Sequence, residues 1–316
     1  MRRLLGFTRS RPAKIAFNTL CVAIAIVVGT LAALHFRESG WPLASASIGG
    51  VLGAGALFLL AYAFKAYGWH HLFAKHERPE TIALAAAGGA ASVTGIALPG
   101  RFDEAVRIAV VRRFPGSKAG LGTVGLSLIL LGLVDSAALA PMASVAAGVS
   151  TSSALFRVGL VIVAAAGVAA AAVVLALPRL SRVQRLVRFR LAGWVQEHCA
   201  CAREASKAWV LVSVSWLLRG AALLVLFDAL GMRASVPLAL AFLCASAAAA
   251  ALPVAPAGAV TQAGAGAAIL VAAGVETSQA VAFAIAAQAL VIVVGAVVVT
   301  LAGLWSAGRR LVPAHA

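Results

Sequence analysis

The stretch "ALPGRFDEAVRIAVVRR", Ala97 to Arg113, decides how this chain is read. Directly behind a Pro-Gly break it sets six charges, Arg101, Asp103, Glu104, Arg107, Arg112 and Arg113, into a sequence of which charged residues make up only 11%. In so apolar a setting a cluster of this kind is either a loop in water or a site.

The setting itself is a membrane. The 316 residues are 62% hydrophobic, with a mean hydropathy of +1.00, well outside the balance of soluble domains. A bilayer core takes about 20 apolar residues per helix, and predominantly apolar runs occupy 15–34, 45–67, 81–98, 119–147, 154–177, 208–230, 236–252 and 281–305. A further run, 258–274, is rich in Gly and Ala. The amino end, "MRRLLGFTRSRPAK", precedes a run too long for a typical signal peptide, so the first span is expected to be uncleaved. The formal charge of +16 sits between apolar runs, where it meets lipid headgroups and sets orientation; nucleic acid is not expected as a partner. Cys21, Cys199, Cys201 and Cys244 lie in or beside spans and are read as reduced. Neither a metal site nor a cofactor motif is expected: His198, Cys199 and Cys201 lack tetrahedral zinc spacing, and no phosphate-binding loop or nucleophile elbow is present.

Charge then settles topology. If every run crossed once from a cytoplasmic amino end, the loops holding Arg101 to Lys118 and Arg179 to Lys207 would both lie outside, against the positive-inside rule. If 81–98 instead dips into the membrane and returns at Pro99-Gly100, both loops become cytoplasmic. Residues 236–274, broken at "LPVAPAG" (Pro253, Pro256, Gly258), then form a second re-entrant hairpin from the outside. Every Lys and Arg falls on the cytoplasmic side except Arg37, Arg157 and Arg233, outside, and Arg219, in a span. Both termini are cytoplasmic. The triplet "ALP" recurs at 97–99 and 251–253, and each copy follows two spans and precedes one. The fold class is therefore an all-α polytopic membrane protein of about six full spans plus two re-entrant hairpins, arranged as an inverted-topology repeat. It forms one integral domain, 1–316, with halves 1–150 and 151–316. Secondary transporters use such repeats to build a site at mid-membrane from broken helices.

Broken backbone inside a membrane is tolerated only where it is buried in protein or lines a cavity. After the break, Arg101, Glu104 and Arg107 follow at three-residue intervals on one helix face, with Glu104 placed to pair with either arginine. Arginine holds phosphate through two hydrogen bonds, so the cluster suits a headgroup. An ordinary basic cytoplasmic loop is the alternative that composition leaves open.

The segment "LPGRFDEAVRIAVVRR" resembles the "PGR-x-GE-x-x-R" signature of the transmembrane region of lysylphosphatidylglycerol synthases, a flippase-like family of bacterial and archaeal membrane proteins. The segment "LPVAPAGAVTQAGAGAAILVAAGV" is similar to that family's second signature, "P-x-x-PGG-x-G-x-x-E" followed by an apolar helix. By position the resemblance implies roles for Pro99, Gly100, Arg101, Glu104 and Arg107 in the first break, and for Pro253, Pro256 and Gly258 in the second. Asp135 falls where the family often carries an acid in the next span. Three residues depart from the pattern: Asp103 and Ala257 replace glycines, and Gln262 stands near the family's Glu, which removes a titrating carboxylate. The resemblance implies a lipid transporter of the inner membrane that moves a phospholipid or polyprenyl-linked lipid. Membrane lipids with anionic headgroups would be its partners, and a homo-oligomer is compatible. A secondary transporter of a small anionic solute, or a non-catalytic membrane subunit of a lipid-modification system, are the alternatives. The family's aminoacyl-transferring members carry a separate soluble catalytic domain, so no enzymatic activity is expected of this chain.

Two charges stand alone in apolar runs, Asp135 and Arg219, and burial at the bilayer centre predicts that they lie at similar depth and pair. Expected substrate contacts are Arg101, Glu104, Arg107, Arg112, Asp135, Arg219 and Gln262. Residues 179–194, alternating arginine with Leu, Val, Phe and Trp, suit a helix lying in the cytoplasmic interface.

Overall fold

A computed structural model describes Leu34, Arg37 and residues 46–95, 102–149, 154–180, 190–198, 200–251 and 258–311. The expected first span, 15–34, and the breaks at Pro99, Gly100, Pro253 and Pro256 lie outside the described residues. The chain is an all-α polytopic membrane protein. Its helices are α1 (Ile48–His71), α2 (Thr81–Thr94), α3 (Phe102–Arg113), α4 (Leu121–Val149), α5 (Ala154–Leu180), α6 (Arg190–His198), α7 (Ala202–Ala229), α8 (Val236–Ala251), α9 (Gly258–Ala272) and α10 (Thr277–Leu311). Five of them, α1, α4, α5, α7 and α10, are long and apolar enough to cross a membrane.

The centre of the bundle is the antiparallel pair α1 and α7. Ser47 begins α1, its hydroxyl accepting from Gly50 N, while its own amide donates to Ala229 O at the far end of α7. Midway, Ser215 Oγ donates to Ala61 O at 2.8 Å, and at the other end Gly68 rests on Ala208 and Val212. A Cβ on Gly68 would meet Val212 Cγ2 at 2.7 Å and Ala208 O at 3.1 Å. Lipid-embedded helices gain little from hydrophobicity against one another, so close contact through small residues is what fixes this pair. The same device joins α2 to α10, where a Cβ on Gly89 would come within 2.5 Å of Gly295 O.

At 14 residues, α2 spans about 21 Å, short of a bilayer core of about 30 Å, and it packs against α3, the next helix in the chain. Polar contacts fix where this pair begins and ends. Glu77, just before α2, accepts from Thr123 Oγ1 in the first turn of α4 at 2.9 Å, and Glu80 pairs with Arg309 near the end of α10. The chain thus enters α2 and leaves α3 on one side of the bundle, which also carries the start of α7; this is the basic face. The second pair, α8 and α9, opens the other way. Phe227 near the end of α7, Phe242 in the second turn of α8 and Phe283 in the second turn of α10 meet, with ring centroids 3.8 Å apart for Phe227–Phe283 and 5.2 Å for Phe242–Phe283. Of the expected interfacial helix 179–194, residues 181–189 lie outside the described set; α6 continues it and sets Trp194 on Gly122 of α4.

Candidate functional site

Two charged clusters lie along the α1–α7 pair. The first is on the basic face. Glu204, in the first turn of α7, accepts from Arg78 at 2.8 Å and from Lys207 at 3.1 Å, and is hydrogen-bonded with His71 Nδ1 at 2.7 Å.

The second is deep. Asp135 lies twelve residues along α4 from Thr123, and Trp216 twelve along α7 from Glu204, so both are about 18 Å below the basic face, near the middle of those two helices. Asp135 Oδ2 accepts from Lys65 Nζ of α1 at 2.8 Å, and Oδ1 from Trp216 Nε1 at 2.9 Å. Both side chains of the ion pair are 20% exposed. Arg219, one turn beyond Trp216, lays its guanidinium over that indole at 5.0 Å and over the Tyr62 ring at 5.8 Å; such cation–π contacts strengthen where water is excluded. The Tyr62 hydroxyl shares a hydrogen bond with Ser92 Oγ, which ties α2 into the cluster.

The site therefore draws on four helices, α1, α2, α4 and α7, and its members sort differently from the expectation. The Asp135–Arg219 pair is not formed. Asp135 is taken by Lys65 and Trp216, while Arg219 faces aromatic rings and, among the described residues, has no carboxylate partner; its Nε is buried without a hydrogen bond. The reason is rotation: α1 turns Lys65 inward toward α4. The charge pattern puts Lys65 at the cytoplasmic end of run 45–67, but α1 runs on to His71 and places the ion-paired amine within its length. Arg107 is answered by Asp103 one turn back, at 3.4 Å, and its Nε also lacks a partner. Asp103, which departs from the family pattern, is thus the carboxylate set against Arg107. Glu104 is half-buried on α3, and Arg112 is exposed at the hairpin's end. Gln262 is half-buried on α9, and its backbone carbonyl accepts from Ser246 Oγ of α8 at 3.1 Å, so its evident contact holds the second hairpin together. Arg101 lies outside the described residues.

A bundle of long apolar helices, two short-helix pairs and a charged, aromatic-lined centre define a polytopic all-α membrane protein. The family described as lysylphosphatidylglycerol synthase TM region matches residues 18–311, and the chain belongs to that family. No curated protein and no solved structure matches it.

Proposed function

We propose that this protein carries a phosphate-bearing lipid across the inner membrane of a bacterial or archaeal cell by alternating access, moving its substrate rather than modifying it. The observation that carries the reading is an unanswered positive charge deep in the bundle: Lys65 and Arg219 lie over one indole, and of the two only Lys65 has a carboxylate, Asp135, among the described residues. Charges at that depth are expensive and mark pathways. Membership of a lipid-related membrane family favours a lipid over other anions.

An inverted repeat supports the alternating-access part. Helices α1 and α7 begin at 48 and 202, α2 and α8 at 81 and 236, α3 and α9 at 102 and 258, α4 and α10 at 121 and 277, a nearly constant offset. Packing partners exchange under the same correspondence: α2 lies on α10 as α8 lies on α4, and α1 contacts α2 and α10 as α7 contacts α8 and α4. The two short-helix pairs open to opposite faces, as re-entrant hairpins from opposite leaflets would. Lys75, Arg78, Arg203, Lys207 and Arg309 lie at the basic face, so this face is cytoplasmic and both termini with it, while Arg157 and Arg233 lie at the other. Lys65 and Arg219 then receive the headgroup, Asp135 holding Lys65 in place, with the acyl chains left in lipid.

Reconstitution tests this. Purified protein in vesicles is expected to accelerate leaflet exchange of a fluorescent phospholipid over protein-free vesicles. Uptake of a water-soluble anion with no lipid movement would replace the reading with that of a solute transporter, and movement of neither would leave only the role of a membrane subunit.

A further inference from the structure

We infer that Lys65 and Arg219 form a two-cation clamp for a single phosphodiester at the centre of the bundle, with selectivity for a headgroup of one net negative charge. The inference rests on the lipid-carrying reading and names its substrate class.

Position is the first argument. Arg219 stands 219 − 65 = 154 residues after Lys65, the offset that separates the starts of α7 and α1. Trp216 stands at the same offset from Tyr62, three residues before each cation. The two halves therefore each supply one aromatic and one cation, on the two helices that run antiparallel through the core. Ala61 and Ser215, also at that offset, touch each other, so the clamp straddles the centre of the arrangement and is reachable from either hairpin. Both cations converge on one indole, with Lys65 Nζ 5.6 Å and Arg219 Cζ 5.0 Å from the Trp216 ring centre.

Charge is the second. The acid that would complete the symmetry is missing: 154 residues after Asp135 comes Ala289. Lys65 has Asp135, which leaves the Arg219 charge without an acid among the described residues. One more negative charge neutralises the pair of cations; two would overfill it. The Nε of Arg219 is buried and unpaired, and a guanidinium group with an ammonium is a donor set that phosphate oxygens take. A phosphodiester supplies that single charge and several acceptors.

The test is lipid binding by native mass spectrometry of the purified protein, with melting temperature recorded with and without lipid. Phosphatidylglycerol is expected to bind more tightly than phosphatidylcholine or the dianionic form of phosphatidic acid. Arg219→Gln is expected to weaken phosphatidylglycerol binding by about tenfold or more, the loss of a charge-assisted hydrogen bond, while raising the melting temperature of the lipid-free protein, because an uncompensated charge has left the membrane. Arg219→Lys keeps the charge and is expected to retain most of the affinity. Unchanged phosphatidylglycerol binding in Arg219→Gln, or equal binding of phosphatidylcholine, overturns the clamp. Displacement of the lipid by millimolar inorganic phosphate overturns its assignment to a lipid. Wild-type protein that binds as expected yet exchanges no lipid between leaflets refutes the transport reading and leaves the clamp standing.

Discussion

The two ends of one helix pair hold opposite kinds of charge cluster. On the basic face a single carboxylate, Glu204, is met by His71, Arg78 and Lys207. About 18 Å deeper along the same helices, the carboxylate Asp135 has one cation bonded to it, and Arg219 beside it has none of its own. In the first, Glu204 is buried, but its cluster sits at the end of the bundle, where Lys207, half exposed, reaches water that screens the excess charge at little cost. The second lies within the span of apolar helices, where an unmatched charge is costly. The closed cluster ties Arg78, in the turn before α2, to the start of α7; the open one is where the proposed headgroup binds.

The sharpest way to break that contrast is Asp135→Asn. It leaves Lys65 with no counter-charge at mid-membrane, and removal of one partner of a buried ion pair costs about 3–5 kcal/mol. A large drop in melting temperature is expected in detergent, recovered in good part by Lys65→Met in the same chain; failure of that rescue would mean the two do not act as a pair. Glu204→Gln comes next. Its lost hydrogen bonds to charged partners are worth about 2 kcal/mol, and phosphatidylglycerol binding is expected to be unchanged, since the cluster is architectural; altered binding would erase the distinction between the clusters. Gly68→Ala drives a methyl group into Val212 and is expected to cost about 1–2 kcal/mol by overpacking. Because it pushes apart the helices that carry both clusters, it should lower melting temperature and lipid affinity together. Tyr62→Phe removes only the hydrogen bond to Ser92, about 1 kcal/mol, and keeps the ring under Arg219. A melting shift with lipid affinity intact is the expected result, and it would separate the ring's role from the hydroxyl's.

Much of this was legible along the chain. Apolar runs gave the long helices to within a few residues at most ends, and Pro99-Gly100 and "LPVAPAG" gave two interruptions whose flanking helices are too short to cross. Asp135 and Arg219 stood out because a charge in an apolar run has no trivial explanation. Lys65 did not, because it lies six residues before His71, beside Tyr67 and Trp69, where a long amine ordinarily snorkels to the interface. Its one detectable signal was the offset of 154 residues to Arg219, visible only once the ends of α1 and α7 were known.

Sequence alone determined that the chain lives in a bilayer, where its helices begin and break, and how few charges it takes into the apolar layer. Which of those charges meet was decided only in three dimensions. A helix in lipid is apolar on every side, so hydrophobic pattern leaves its rotation free. Between α1 and α7 the rotation is set by close contacts such as Gly68 on Val212 and Ser215 on Ala61, with Lys65 then meeting Asp135 and Arg219 facing aromatic rings.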